Sequence, residues 1–208
     1  MRTSTIFIYT KKLKLRVPLV ILVVLSTCFY SKAQTDEKAI KQTITNFLYW
    51  YKNSKKTKGN NNYAVVKDIS INKQLKRQVI DKIRVEKRVD FFRKSNYLSK
   101  TYLDNLRRYY YKVGKYLDKS SPLPKNDIVK IDGLDQDIVL DTYEPEVIFD
   151  DIAQATITKS LIVYRKALVS IKFANEVNLE IALTKTGGKW LIDHLGPDNK
   201  SLNSFFRQ

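Results

Sequence analysis

The hydrophobic period of this chain changes once along its length, and that change limits the fold more than any single motif. Up to about residue 118 the apolar residues recur at spacings of three and four; beyond about residue 153 they alternate. The segment Ser120-Ser121-Pro122-Leu123-Pro124 separates the two regimes, because proline has no amide hydrogen to donate and its ring clashes with the preceding turn. Helices followed by an antiparallel meander predict an α+β domain, with the helices packed on one face of a sheet.

Two helices are legible from their pattern. In residues 36–55, Ile40, Ile44, Phe47, Leu48 and Tyr51 form one stripe of a 3.6-residue period. Asp36 and Glu37 sit in the first turn and Lys52 and Lys55 near the end, where the helix dipole favours each sign. Gly59-Asn60-Asn61-Asn62 breaks that helix. Residues 99–118 read as the second: Ser99 is placed to cap the first turn, and Leu98 and Leu103 are spaced for a hydrophobic staple. Leu103, Leu106, Tyr110, Val113 and Leu117 then make an unbroken stripe. Between the two helices, Ala64 to Ile71 reads as either a short strand or a loose connection. Leu75, Val79 and Ile83, at spacing four, predict a helix over about 73–94, and the basic stretch 64–94 reads as an insertion.

In the second half, Val177, Leu179, Ile181 and Leu183 share one face of a strand, with Asn178, Glu180 and Thr184 on the other. Gly187-Gly188 supplies the two positive-φ positions of a tight hairpin turn, and Trp190 to Leu195 returns as the partner strand. Two earlier runs, about 153–159 and 161–174, also read as strands.

Charge and cysteine usage bear on where the chain works. Lys11, Lys12, Lys14 and Arg16 precede an uncharged run from Val17 to Tyr30, and Ser31-Lys32-Ala33 places small residues before a cleavage site. Residues 1–33 therefore read as a secretory signal cut before Gln34. The uncharged run is fourteen residues, short of the roughly 20 that cross a bilayer as a helix. Leu25-Ser26-Thr27-Cys28 offers an alternative, a lipobox with Thr27 where Gly, Ala or Ser is usual, and hence a lipid anchor at Cys28. Cys28 is the only cysteine, so residues 34–208 hold no disulfide, thiol nucleophile or thiolate metal site, and their length suits a single well-buried domain.

The net charge of +17 overstates the case for an anionic partner. Removing the leader takes six of the 38 basic residues and none of the 21 acids, leaving +11. Residues 64–119 carry sixteen basic and six acidic groups, and residues 120–151 two basic and nine acidic. Export, the lack of a recognition motif and the interspersed acids argue against nucleic acid. Lys73, Arg77, Arg84 and Arg88 are instead candidates for holding an envelope polyanion or anionic lipid headgroup. The competing reading is a solvated helix face.

Few residues carry recognisable chemistry. His194 is the sole histidine, and histidine is the usual acid or base near neutral pH. On a regular strand it shares a face with Trp190 and Ile192 while Asp193 points away. A catalytic pair therefore requires Asp141, Asp150 or another carboxylate to approach in space; otherwise His194 is a hydrogen-bonded residue near a strand end. Asp132-Gly133-Leu134-Asp135-Gln136-Asp137, with Asp141 beyond, has oxygen ligands of the kind calcium prefers but not the spacing of a calcium loop. It reads as a solvated acidic connector, or as the partner of the basic helix face.

Tyr109 and Tyr111 lie off the centre of the apolar stripe, among Arg107, Arg108, Lys112 and Lys115, a setting for stacking on a sugar or base and for cation–π contact. Trp50, Tyr143, Trp190 and His194 complete the ligand-binding candidates. No Gly-rich phosphate loop, Gly-x-Ser-x-Gly elbow or His-x-x-x-His pair is present, and nothing implies a metal or cofactor.

One ordered set of features resembles a known family. An exported leader is followed by Ala39-Ile40 through Phe47-Leu48-Tyr49-Trp50-Tyr51, then by Tyr97-Leu98-Ser99 opening a helix with Leu103 and Leu106. An Asp-rich connector and a closing Gly188-Lys189-Trp190-Leu191-Ile192-Asp193 complete the order. Over roughly residues 36–196 this resembles the exported bacterial group called domain of unknown function 3828, of the nuclear transport factor 2-like (cystatin-like) fold. The resemblance implies a cone in which a curved antiparallel sheet wraps the helices and leaves a pocket, with the stretch 64–94 longer than the family pattern. It implies no activity, since relatives of that fold include isomerases, dehydratases and non-catalytic binding modules.

The functional expectation is a periplasmic or secreted envelope module that binds a small ligand, a polyanion or an envelope protein without catalysis. The alternative is a small-molecule isomerase, dehydratase or hydrolase using His194 with a cavity carboxylate.

Overall fold

A computed structural model describes residues 35–55 and 62–197. The leader, its cleavage site before Gln34, Cys28 and the break at Gly59-Asn60-Asn61 lie outside the described residues. Contacts group residues 40–208 as one compact unit and residues 1–39 as another. The architecture is α+β, with helices and two antiparallel sheets.

Helix α1 covers residues 35–55, and its stripe of Ile40, Ile44, Phe47, Leu48 and Tyr51 is fully buried. A 3-10 turn (Asn62–Val65) leads into β1 (Val66–Ser70) and β2 (Leu75–Ile80), which pair antiparallel from Val66 opposite Ile80 to Ser70 opposite Lys76. Helix α2 follows at Lys82–Arg93. The expected helix over 73–94 is thus corrected in its first half, and the undecided stretch before it is a strand. A spacing of four fits both a helical and a two-residue period, so Leu75 and Val79 could not tell the two apart. The start of α2 is fixed by Asp81, whose carboxylate accepts from the amides of Ile83 and Arg84. Ile83, counted in the stripe, faces solvent.

Helix α3 (Lys100–Leu117) begins and ends where its caps predict, with the Ser99 hydroxyl accepting from the Tyr102 amide. Its apolar stripe is buried, and it packs against α2, β2 and β7. A two-residue strand β3 (Leu123–Pro124) joins β2 to complete a small three-stranded sheet. The Asp-rich connector contains a short helix α4 (Pro145–Asp150), opened by a proline at a position where the missing N–H costs nothing.

The second sheet is a meander of β4 (Thr156–Val163), β5 (Lys166–Lys172), β6 (Asn178–Thr186) and β7 (Lys189–Pro197), hydrogen-bonded in that order. The turn between β4 and β5 falls at Tyr164-Arg165, and residues 152–154 are a 3-10 turn, so the two expected strands shift by several residues. Gly187 and Gly188 have φ of 57° and 80°, as the hairpin turn requires. Val169, Ile171, Leu179, Ile181, Leu183, Ile192 and Leu195 are all buried.

Strand β7 is interrupted. Leu183 pairs with Ile192 and Ala182 with His194, which leaves Asp193 over as a β-bulge. Directly paired residues share a face, so His194 sides with Ala182, away from Ile192 and Trp190. The expected shared face of Trp190, Ile192 and His194 is therefore corrected: alternation holds only up to the inserted residue. The outer edge of β7 is joined to the start of α3, with the Ile192 amide donating to the Tyr97 carbonyl at 2.8 Å and the Ser99 amide to the Ile192 carbonyl at 2.9 Å. Among the described residues no helix is long and apolar enough to cross a membrane.

Candidate functional site

Beside the buried stripe of α3 runs a second row at helical spacing: Tyr102, Asn105, Tyr109 and Lys112. This row, with Arg108, walls a cavity of about 540 Å³. Gln136, Ile138 and Asp141 line it from the loop before α4, and Asp193, His194, Leu195 and Gly196 from β7.

The loop is held from beneath by Asp137. Its buried carboxylate accepts from the Tyr51 hydroxyl at 3.0 and 3.1 Å, lies 2.7 Å from the Lys55 ammonium, and accepts from the amides of Val139 and Leu140 at 3.0 Å each. Burial, reinforced by the Asp137 charge, pushes the Tyr51 pKa far up, so the phenol stays protonated and donates. Asp137 and Thr142 also exchange backbone hydrogen bonds, at 2.8 and 3.3 Å, closing the loop on itself. Gln136 and Asp141 stand at the two ends of that closure, where the Gln136 amide donates to the Asp141 carboxylate at 2.6 Å. Asp141 has a φ of 50°, in the left-handed region that non-glycine residues rarely occupy.

The Tyr109 hydroxyl donates to the Gly133 carbonyl at 2.7 Å, and burial raises its pKa, with Asp141 and Asp135 adding to the shift. Burial also raises the Tyr102 pKa strongly. His194 is half-buried; burial lowers its pKa while the Asp141 carboxylate pulls the other way, so the imidazole is neutral at pH 7. Asp193 is buried and accepts from the Thr184 hydroxyl and, at 3.1 Å, from the Lys166 ammonium. The Arg108 guanidinium donates to the side-chain amide oxygen of Asn105. The cavity thus offers two cations, two carboxylates, a neutral imidazole, amides and a half-exposed tyrosine ring.

Of the residues singled out in the sequence, Tyr109, Asp141 and His194 meet here. Trp50 packs in an aromatic cluster with Phe47, Phe91 and Phe92, and Trp190 is buried with the Lys185 ammonium 5.5 Å from its ring. Neither lines the cavity. Tyr143 is 70 % exposed and lies outside the lining. Asp150 pairs with Lys52 at 3.5 Å. The acidic connector therefore pairs with lysines of α1.

Lys73, Arg77, Arg84 and Arg88 are spread over a turn, a strand and a helix, with Arg84 and Arg88 both on α2. Lys73 is in the β1–β2 turn and Arg77 on β2. Arg84 donates to the Val66 carbonyl at 2.7 Å, and the Arg88 guanidinium lies 4.8 Å from the Phe92 ring centre. Among the described residues no cluster of three or more His, Cys, Asp or Glu is arranged to hold a metal ion.

Asn105, Gln136 and Asp193 were not foreseen. Asn105 was detectable as a member of the row at 102, 105, 109 and 112; Gln136 depends on loop closure and Asp193 on the bulge, which no local pattern encodes. No family model, no curated protein and no solved structure matches the chain.

Proposed function

We propose that this chain is an exported envelope protein of nuclear transport factor 2-like architecture that works as a non-catalytic ligand-binding module. Its ligand sits between α3, the loop before α4 and β7. The observation that carries this reading is the convergence of Tyr109, Asp141 and His194, from three separate elements, on one cavity of about 540 Å³, within the range of small-molecule sites. The N-terminal leader supports a periplasmic or secreted location, with a lipid anchor at Cys28 as the alternative. An envelope protein or polyanion remains a second class of partner for the basic surface.

Binding is favoured over turnover because the cavity's polar groups already have partners. Gln136 holds Asp141, Thr184 and Lys166 hold Asp193, and Gly133 holds Tyr109. A catalytic histidine is oriented by a third group, and among the described residues no hydrogen bond joins His194 to Asp141 or Asp193. One observation favours an isomerase, dehydratase or hydrolase instead: a neutral His194 shares the cavity with Asp141, and a neutral imidazole is a competent base.

The deciding experiment is a fragment screen by NMR on the chain and on His194→Ala. A binding module gives hits with shifts along the cavity lining and no product, with affinities weakened in the variant by no more than one lost hydrogen bond, up to about tenfold. Conversion of a hit to product that His194→Ala abolishes would overturn the binding reading. Intact mass distinguishes a chain starting at Gln34 from one lipidated at Cys28.

A further inference from the structure

The cavity's own chemistry narrows the ligand, granting the ligand-binding reading on which this step rests. We infer that the ligand is a neutral saccharide, bound as one or a few rings against Tyr109 with its hydroxyls distributed between Asp141, Gln136, Asn105, Arg108 and His194.

Mixed charge is the first support. Arg108 and Lys112 stand with Asp141 among the lining residues, while Asp193 is already paired with Lys166. A polyanion entering would meet Asp141, and a polycation would meet Arg108 and Lys112. Both would leave charges of the wrong sign partly desolvated. A neutral ligand meets neither penalty.

The hydrogen-bonding inventory is the second. A hydroxyl is donor and acceptor at once, so it is best received where both kinds of partner stand side by side. Here the Asp141 carboxylate lies against the Gln136 amide, and the Arg108 guanidinium against the Asn105 amide. Each pair offers acceptors and donors together. Those contacts also restrain the side chains before a ligand arrives, which reduces the ordering cost of binding.

Surface character is the third. Tyr109 is tethered through its hydroxyl, so its ring orientation is restrained, and Leu106, Ile138 and Leu195 supply apolar lining beside it. A sugar ring has both an apolar C–H face and a polar edge. The cavity has both surfaces.

The test is titration of the 15N-labelled exported chain with neutral di- and trisaccharides of glucose, galactose, mannose, arabinose and N-acetylglucosamine. Trigalacturonate, L-glutamate and L-lysine serve as charged comparisons. At least one neutral saccharide is expected to shift the amides of residues 102–112, 136–141 and 193–196 saturably. Asp141→Asn, which tolerates the left-handed backbone, is expected to weaken that binding about tenfold through loss of a charge-assisted hydrogen bond. Lys73→Ala is expected to leave it unchanged.

If only the charged compounds saturate these amides, the saccharide assignment is wrong and the ligand-binding reading stands. If no compound in either set moves them, both are overturned. Tight saccharide binding that Asp141→Asn leaves unaltered, in a variant with an intact amide spectrum, also overturns the assignment.

Discussion

The Tyr109 hydroxyl reaches the Gly133 carbonyl at 2.7 Å because Gly133 has no side chain: a Cβ there would stand 2.6 Å from the same hydroxyl. Gly133 also has a φ of 82°. Gly133→Ala therefore combines left-handed strain with a steric conflict, and is expected to cost about 1–3 kcal/mol in urea denaturation. Tyr109→Phe removes only the hydrogen bond, an expected loss of about 1 kcal/mol. The alanine variant should be the worse of the two; a reversed order would show that the contact is not what holds this loop to α3.

Asp137 is a buried acid with its hydrogen bonds met and an ammonium beside it. Removing one partner of such a pair is far more damaging than replacing the pair, because the remaining charge stays desolvated. Asp137→Ala is expected to destabilise the fold by about 3–5 kcal/mol at pH 7. The double variant Asp137→Ala/Lys55→Met should recover part of that loss. Denaturation midpoints of the two variants check both statements, and recovery by the double variant is the discriminating result.

His194 should give the fold a distinct pH dependence. Its pKa is lowered from the ordinary 6.5, with burial as the main cause. The unfolded chain therefore takes up a proton first as pH falls. Stability is full above about pH 6.5 and declines as pH drops through the depressed folded value. His194→Gln should flatten that decline. Because the Asp141 carboxylate works against the depression, Asp141→Asn should lower the His194 pKa further, readable by imidazole NMR titration. Asp81, Glu86 and Asp104 have pKa values lowered from the ordinary carboxylate range and so act in a separate, more acidic window.

Arg107 links α3 to α2 through two hydrogen bonds to Glu86, at 2.6 and 2.9 Å. Both side chains are partly solvated, so the link is worth little despite its geometry. A double-mutant cycle on Arg107→Ala and Glu86→Ala is expected to give a coupling of about 0.5–1 kcal/mol, diminished in high salt. Coupling that salt does not touch would indicate a drier contact.

What could be read in the sequence follows physical range. Ser99 and the stripe from Leu103 to Leu117 located α3 because caps and periodicity are local. Gly187-Gly188 located the last hairpin for the same reason. The stretch 73–94 misled because Leu75 and Val79, four apart, fit either period, and the Asp81 cap that separates strand from helix carries only one residue of signal. The cavity was legible as individual residues, Tyr109, Asp141 and His194, but not as a set. Their meeting depends on Asp137 closing a loop and on a bulge at Asp193, both of which are set by contacts distant in the chain. Trp50 and Trp190 were misplaced for a related reason: a large aromatic ring suits a core as well as a pocket.

The two hydrogen bonds between Ile192 and residues 97–99 have a mechanical consequence. The helix carrying Tyr109 and the strand carrying His194 are thus tied to each other through the backbone at one end of the cavity. Tyr102 and Asp193 stand three residues and one residue from that tie, so no side-chain substitution at either position can undo it.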